Sequence, residues 1–289
     1  MSTYFLYLNM IKNLIHLAFS FIAFSLSYSI AYLTEIEIVK NAIFYSFVIQ
    51  WILFVPAYFF QTEKFYDLSG SCTYTFVISF VLYHQYADSG INFGNIILGG
   101  CVIIWAIRLG TFLFLRIQKA GEDKRFKDIK TSASRFFMTW TLQGMWVSIC
   151  SACVITAISS ASGVKINLLF FVGLLFFLIG FVFEIVADNQ KTKFRQDPAN
   201  KDKFISSGLW SYSRHPNYAG EIILWLGLSI IAFSSLNDWQ YITLISPLFT
   251  YVLLVYISGV RILEASGRKK WGHLESYQDY LKKIPSLFF

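Results

Sequence analysis

Residues 166–187 read INLLFFVGLLFFLIGFVFEIVA, an almost unbroken run of apolar side chains. About 20 such residues in an α-helix are enough to cross the hydrocarbon core of a bilayer. Similar runs recur along the chain, so the sequence predicts an all-α fold, a polytopic membrane bundle of seven to eight transmembrane helices. The predicted spans lie near 14–33, 42–60, 72–87, 94–116, 137–161, 166–187, 219–236 and 240–258.

The overall composition agrees with a membrane environment. Of the 289 residues, 56% are hydrophobic and only 14% are charged, whereas a soluble domain carries about 25% charged residues. A soluble protein of this size has too little interior to bury so many apolar side chains. We therefore expect an integral, multi-pass membrane protein. We place N-terminal transmembrane helices in residues 1–90 and a C-terminal membrane domain with a cofactor site in residues 91–289.

Positive charge is concentrated in two loops, 117–135 and 188–218, and in the tail after residue 259. Cytosolic loops of membrane proteins collect Lys and Arg, which predicts eight spans with both ends in the cytosol, in the endoplasmic reticulum or a bacterial inner membrane. The net charge of +7 is spread over separate loops rather than one face, which argues against nucleic acid as a partner and for membrane lipid. The four cysteines lie in or beside apolar runs, so we expect neither disulfides nor a metal site.

Ionisable residues within the predicted spans are the first candidates for function. Arg108 lies inside the fourth span, Glu184 near the end of the sixth, and Glu221 at the start of the seventh. Such groups are costly in a membrane unless they face a wet, protein-lined cavity, although either glutamate could instead snorkel from a helix end. Asp188 shares a helix face with Glu184, and Arg195 follows two turns later. Carboxylates can bind ribose hydroxyls and a guanidinium can bind phosphate, so this stripe suits a nucleotide. Intrahelical salt bridges have the same spacing.

The segment 208–221, which reads GLWSYSRHPNYAGE, predicts a helix beginning at Pro216, because proline is favoured in the first turn. The free amides of a helix N-terminus attract anions. The alternative to an anion-binding site is that this segment is only a capped loop whose aromatic residues lie at the membrane interface. Polar residues surround the predicted helix start: Arg214, His215, Asn217 and Tyr218.

The tail contributes a further group of polar and aromatic residues. Its two tyrosines are either ordinary interfacial anchors or, with their basic neighbours, part of a lid over a phosphate-bearing cofactor. The residues of this group are Arg261, Glu264, Lys269, Lys270, Tyr277 and Tyr280.

The stretch 208–221 resembles the steroid 5-alpha-reductase-like membrane reductases, and is closest to their branch with the Arg-His-Pro-Asn-Tyr signature. The resemblance covers about residues 95–289 and implies NADPH in a cytosol-facing cavity among the last helices. Other matching elements are Arg108-Leu109, Gly121 to Arg125, Asp188 to Lys191 with Arg195, Arg261 with Glu264, and the closing Tyr277 and Tyr280 followed by Ile-Pro. The resemblance implies NADPH contacts for Arg108, Asp188, Arg195, His215, Asn217, Tyr218 and Arg261, whereas Glu184 falls where steroid reductases have an asparagine. The full set of predicted cofactor-binding residues also includes Glu184, Arg214, Glu221, Glu264, Lys270, Tyr277 and Tyr280.

The resemblance is weaker in the half that would bind substrate. Steroid reductases polarise the substrate carbonyl with a tyrosine and a glutamate, but here the tyrosine position falls on or near Trp105. The glutamate matches only Glu63. The implied activity is NADPH-dependent reduction of a carbon–carbon double bond in a steroid-like or other lipid substrate. Hydride would be followed by a proton from Tyr218, His215 or Glu63.

Two other functions stay open. A methyltransferase that uses S-adenosylmethionine, of the isoprenylcysteine carboxyl methyltransferase type, shares the Arg-His-Pro-x-Tyr helix start and a tail rich in Glu and Tyr. We expect NADPH rather than this methyl donor because the loops are rich in cations and the methyl donor has no phosphate. A non-catalytic lipid-binding protein is the third possibility. No Gly-x-Gly-x-x-Gly motif follows a strand, which excludes a Rossmann site.

Overall fold

The computed structural model describes residues 2–288, and the regular structure in this range is entirely helical. The predicted all-α class is therefore confirmed. The α-helices are α1 (Ser2–Leu33), α2 (Glu37–Phe59), α3 (Tyr66–Ser89), α4 (Phe93–Ala120), α5 (Ala133–Ser159), α6 (Leu168–Gln196), α7 (Pro216–Phe233), α8 (Ser246–Val252), α9 (Val260–Trp271) and α10 (Glu275–Lys283).

Seven segments in the described part of the chain are long and apolar enough to cross a membrane, which confirms a multi-pass membrane protein. The predicted span near 72–87 also forms a helix, α3, but this helix is not one of the seven. It carries polar residues such as Ser71, Thr73 and His84, which lower its mean hydropathy. The orientation with both ends in the cytosol stays a prediction. The seven segments are Tyr7–Leu33, Glu37–Phe59, Phe93–Ala120, Ala133–Ser159, Leu168–Gln196, Pro216–Phe233 and Asp238–Trp271.

The last of these segments is discontinuous. It begins as a 3₁₀ helix, Asp238–Ile245, continues as α8, and widens into a π-helix at Leu253–Ile257. Ser258 and Gly259 then interrupt it before α9 begins. The predicted end of the span at residue 258 therefore coincides with this break, while the helical path resumes in α9.

The chain divides into two compact units. Unit 1 contains α1 to α5 with the segment Ala232–Leu244, and unit 2 contains α6, most of α7, and the chain from Ile245 onwards. Packing thus groups α4 and α5 with the first three helices. The boundary after residue 90 was drawn from sequence motifs rather than packing, and it stays a prediction.

Unit 1 is organised around α5, most of whose side chains are buried. Hydrogen bonds between side chains bind its neighbours in register: Trp51 Nε1 on α2 donates to Thr141 Oγ1 on α5 at 3.0 Å. Gln50 Nε2 donates to Thr73 Oγ1 on α3 at 2.7 Å. Because polar side chains in a membrane interior need internal partners, these bonds link α2, α3 and α5.

In unit 2, glycines bring α6 and α7 into backbone contact. Gly173 and Gly180 on α6 face Gly227 and Gly220 on α7. A Cβ atom added at Gly220 would lie 2.6 Å from the Gly180 carbonyl oxygen and 2.7 Å from the Glu184 amide nitrogen. Small residues with this spacing allow membrane helices to approach closely. The crossing therefore places Glu184 directly against the first turns of α7.

Candidate functional site

The loop that leads into α7 folds back onto the end of α6. Gly208 has a φ of 61°, a conformation that glycine adopts readily, and the next residue donates its amide to Gln190 Oε1 at 2.9 Å. Trp210 Nε1 donates to the Ala187 carbonyl at 3.1 Å, and the Lys191 ammonium lies 4.4 Å from the centre of the Trp210 ring. The segment 208–211 is therefore fixed on α6 beside the acidic residues of that helix.

Arg214 connects the start of α7 to the tail. Its Nε donates to Glu264 Oε1 at 2.8 Å, and its Nη1 donates to the carbonyls of Leu281, at 2.8 Å, and Ile284. Its backbone amide donates to Pro285 O at 2.9 Å. The predicted helix start at Pro216 is confirmed, but most of the hydrogen-bonding capacity of the Arg214 guanidinium is used to hold the tail.

The tail after residue 259 packs on the loop that leads into α7, here called the entrance loop, through aromatic contacts and hydrogen bonds. Tyr280 Oη donates to the Trp210 carbonyl at 2.8 Å, and the Phe204 ring lies 4.9 Å from that of Tyr277 and 5.3 Å from that of Tyr280, centre to centre. Trp271 Nε1 donates to a loop carbonyl, Asp202 O, at 2.6 Å. Burial raises the pKa of both tail tyrosines. They are therefore neutral packing elements that close unit 2 over the loop.

His215 is a buried polar residue at the helix start whose ring nitrogens the described chain does not satisfy. It is only 6% exposed, and neither buried ring nitrogen has a hydrogen-bond partner within residues 2–288. Its Nε2 lies 3.6 Å from Glu264 Oε1, longer than a hydrogen bond, and its ring stacks on Tyr218 at 5.8 Å. Burial lowers the pKa of His215, which Glu264 only partly opposes. A buried, neutral imidazole without partners is available to a bound molecule.

Three acidic residues are buried close to this helix start. Glu184 is 2% exposed, and Asp188 and Glu221 are each 5% exposed. The predicted stripe of Glu184 and Asp188 on one face of α6 is present, while Arg195 lies at the exposed end of that helix. Within residues 2–288, the buried carboxylates of unit 2 are these three, the one buried histidine of the unit is His215, and no lysine or arginine of the unit is buried. The buried acid and base side chains of this unit are therefore mainly carboxylates, in contrast to its basic surface.

The other predicted cofactor-binding residues of unit 2 lie nearer the surface. Lys270 Nζ lies 3.4 Å from Asp202 Oδ1, which gives it a partner outside the site. Arg261, in the first turn of α9, is exposed and forms no ion pair or hydrogen bond with any described residue. Asn217 is half-buried in the first turn of α7, and its side-chain amide likewise has no partner in that range. Arg261 and Asn217 therefore have side-chain donors to offer a ligand.

Two predicted residues, Arg108 and Glu63, belong to unit 1. The Arg108 guanidinium lies on α4, 5.3 Å from the centre of the Phe112 ring. The Glu63 carboxylate is 4% exposed, pairs with Lys130 Nζ at 2.7 Å, and accepts from the Asp123 amide at 3.0 Å. Burial raises its pKa, but its hydrogen bonds and the charge of Lys130 together lower it by more, so that its net pKa lies below the ordinary value. An ionised carboxylate has no proton to donate, so the geometry gives no support to Glu63 as the proton donor.

Trp105, where the resemblance expects a tyrosine, is buried against Tyr74 in an edge-to-face contact at 5.2 Å between ring centres. Tyr74 is not among the residues predicted from sequence, because a tyrosine within an apolar run looks like any other core aromatic residue. Gly259 and the glycine pairs of α6 and α7 are not among them either. The spacing of those pairs is visible in the sequence, but the pairing of the two helices is not.

Together, the fold and this arrangement define a polytopic helical membrane protein whose second unit gathers buried acidic groups and an unsatisfied histidine around a helix start. Residues 53–284 match the family described as "Protein of unknown function (DUF1295)", and the chain belongs to that family. The family includes steroid 5-alpha-reductase-like proteins, which confirms the resemblance at this level. The more specific branch with the Arg-His-Pro-Asn-Tyr signature stays a prediction.

Among curated proteins, the chain is similar to "Probable O-methyltransferase ustE" of Ustilaginoidea virens, with 30% identity over 144 residues. The match covers 40% of this chain and 51% of the relative. The chain thus spans about half the length of that relative. No solved structure matches the chain.

Proposed function

We propose that this protein is a membrane-embedded methyltransferase that holds S-adenosylmethionine in unit 2 and methylates an oxygen of a hydrophobic, lipid-like substrate. The observation that carries this proposal is the sign of the buried charge. Glu184, Asp188 and Glu221 are buried, whereas no lysine or arginine of unit 2 is buried to this degree. A cationic cofactor without phosphate suits this interior better than a polyanion does, because like charges repel strongly in a medium of low dielectric constant.

The residues present fit such a cofactor. Buried carboxylates can accept hydrogen bonds from ribose hydroxyls and from an ammonium group, and the stacked rings of His215 and Tyr218 offer a π-face to a sulfonium. When bound, S-adenosylmethionine supplies an activated methyl group. The curated relative is named as an O-methyltransferase, which supports the same reaction class.

In the proposed transfer, a substrate oxygen would bond to the methyl carbon as the carbon–sulfur bond breaks, which would leave a neutral thioether. If the oxygen is a hydroxyl, its proton passes to a ring nitrogen of His215. Burial lowers the pKa of His215, so this imidazole is neutral near pH 7 and can accept a proton. The tail packs on the entrance loop before α7, and such a cover would help to keep water from the reaction.

The second candidate is the NADPH-dependent reductase of a steroid-like or other lipid double bond. Arg261 favours it, since its guanidinium is unpaired within the described chain and exposed at a helix start, where a phosphate could bind. In that reading Arg195 and Arg261 of unit 2 hold phosphates, and His215 or Tyr218 supplies the proton.

The two candidates are separated by activity in a defined membrane. The full chain is reconstituted in nanodiscs containing a total lipid extract and supplied with S-adenosylmethionine labelled in its methyl group. We expect label in the lipid fraction, reduced by about 10²-fold or more in His215→Gln and retained in His273→Gln, a matched change in the exposed loop before α10. Consumption of NADPH without methyl transfer would contradict the proposal and favour the reductase.

A further inference from the structure

A group of basic side chains lies in unit 1, where α1 packs on the start of α5. Lys12 and His16 are one turn apart on α1, and Arg135 lies in the first turn of α5. The side chains of Lys12 and Arg135 are exposed, and both cations lie close enough for their charges to act on the His16 ring. Three basic groups therefore meet at one end of this helix pair.

Hydrogen bonds fix the polar side chains between these basic groups. Ser134 Oγ donates to Asn13 Oδ1 at 2.7 Å and lies 3.0 Å from His16 Nδ1. Because the one hydroxyl proton of Ser134 is used for Asn13, the imidazole donates from Nδ1 to Ser134 Oγ. The side-chain amide nitrogen of Asn13 has no acceptor within residues 2–288. It is therefore a donor that is held in place beside the two cations.

The basic group has no acid to balance it. The sequence of α1, Ser2–Leu33, contains no Asp or Glu, and no carboxylate in the described part of the chain pairs with Lys12 or Arg135. By contrast, Lys130 and Arg125 in the loop before α5 each pair with a carboxylate. Like charges that are fixed close together repel each other, so an anion that joins them binds favourably.

Exposed apolar side chains continue from the two cations along the candidate spans. Phe19 lies two turns beyond Lys12 on the same face of α1, and Leu142 lies two turns beyond Arg135 on the same face of α5. Their side chains are 56% and 41% exposed. A cationic end followed by apolar surface suits a lipid, with its phosphate and acyl chains, better than it suits free phosphate.

We propose that Lys12, Asn13 and Arg135 bind the phosphate of an anionic membrane phospholipid whose acyl chains lie along α1 and α5. The phosphate neutralises the basic group. It also joins α5 to α1, a helix whose side chains are mostly exposed. The site belongs to unit 1 and goes beyond the proposed function, because it does not depend on which cofactor unit 2 binds.

The test titrates the purified full chain in detergent with phosphatidylglycerol or with phosphatidylcholine of the same acyl chains, and counts bound lipid by native mass spectrometry. We expect wild type to bind phosphatidylglycerol at least about tenfold more tightly, because two cations near the membrane surface attract the anionic headgroup. Equal binding of the two lipids would overturn the inference. This comparison needs no variant, so it stays decisive if a variant fails to fold.

Lys12→Gln and Arg135→Gln should each weaken binding of phosphatidylglycerol about fivefold, since each removes one cation, and should change binding of phosphatidylcholine little. Lys127→Gln, which removes an exposed cation from the loop before α5, is the matched control and should bind like wild type. Equal losses in all three variants would mean that general surface charge attracts the lipid, and would overturn the site.

A competition with inorganic phosphate separates a lipid headgroup from a free anion. Phosphate should leave bound phosphatidylglycerol in place, because it lacks the acyl chains that lie on α1 and α5. Displacement of the lipid by phosphate would overturn the assignment to a phospholipid. None of these outcomes bears on the proposed function, which concerns unit 2.

Discussion

At the scale of single residues, burial and partners decide what each ionisable group can do. Glu63 and His215 are both buried, and both were candidate proton donors from sequence. The structure gives Glu63 a lysine and a backbone amide as partners, while the ring nitrogens of His215 have none in the described chain. Glu63 is therefore committed to holding the loop 121–132, whereas His215 is available for chemistry.

Glu63→Gln is expected to destabilise unit 1 by about 2 kcal/mol, because Lys130 then loses its buried partner. The pKa of Glu63 is lower in the folded protein than its ordinary value of 4.5, so the unfolded chain binds more protons as pH falls through this range. The stabilisation is thus fully present above about pH 4.5 and is lost below it.

This prediction is checked by thermal unfolding in detergent between acidic and neutral pH. Glu63→Gln should be less stable than wild type at neutral pH and should lose less stability on acidification. Glu122→Gln, a change of the exposed neighbouring carboxylate, serves as the control and should behave like wild type. Equal stability of Glu63→Gln and wild type at neutral pH would argue against a stabilising role for the Glu63–Lys130 ion pair.

At the scale of helices, the crossing of α6 and α7 positions the acidic residues. The sequence predicts both spans and the start of α7 from apolar runs and from Pro216. It does not predict which helix faces meet, because lipid-facing and protein-facing residues are equally apolar in a membrane. The hydrogen bonds from Arg214 to the tail could not be predicted either. They are accepted by the backbone carbonyls of Leu281 and Ile284, and every residue has such a carbonyl.

Gly220→Ala is expected to separate α6 from α7 and to destabilise unit 2 by about 2 kcal/mol, because the added methyl group meets backbone atoms at 2.6 to 2.7 Å. Loss of cofactor affinity should accompany the loss of stability, since the same contact seats Glu184. Gly100→Ala on α4 is the matched control, because no atom lies within 4 Å of its added Cβ. Thermal unfolding of the two variants checks the prediction; equal melting temperatures would be inconsistent with a backbone-tight crossing.

At the scale of the whole molecule, composition and hydropathy were enough to predict an all-α, multi-pass fold. The chemistry of unit 2 was less accessible, because counting Lys and Arg in the loops indicated a site for a polyanion. In the folded unit, Lys270 pairs with Asp202 and Arg214 pairs with Glu264. Glu184 and Asp188 are buried instead. The count of Lys and Arg along the sequence therefore describes the loops at the surface of the protein. A bound cofactor would meet the groups that are buried.

The central claim is that unit 2 binds a cationic methyl donor through its buried acidic residues. Calorimetric titration of the purified full chain with S-adenosylmethionine and with NADPH, for wild type and Asp188→Asn, tests it most directly. We predict binding of S-adenosylmethionine, at least about tenfold weaker binding in Asp188→Asn, and weaker binding of NADPH than of S-adenosylmethionine by wild type. Tighter binding of NADPH, or binding of S-adenosylmethionine that Asp188→Asn leaves unchanged, would contradict the account.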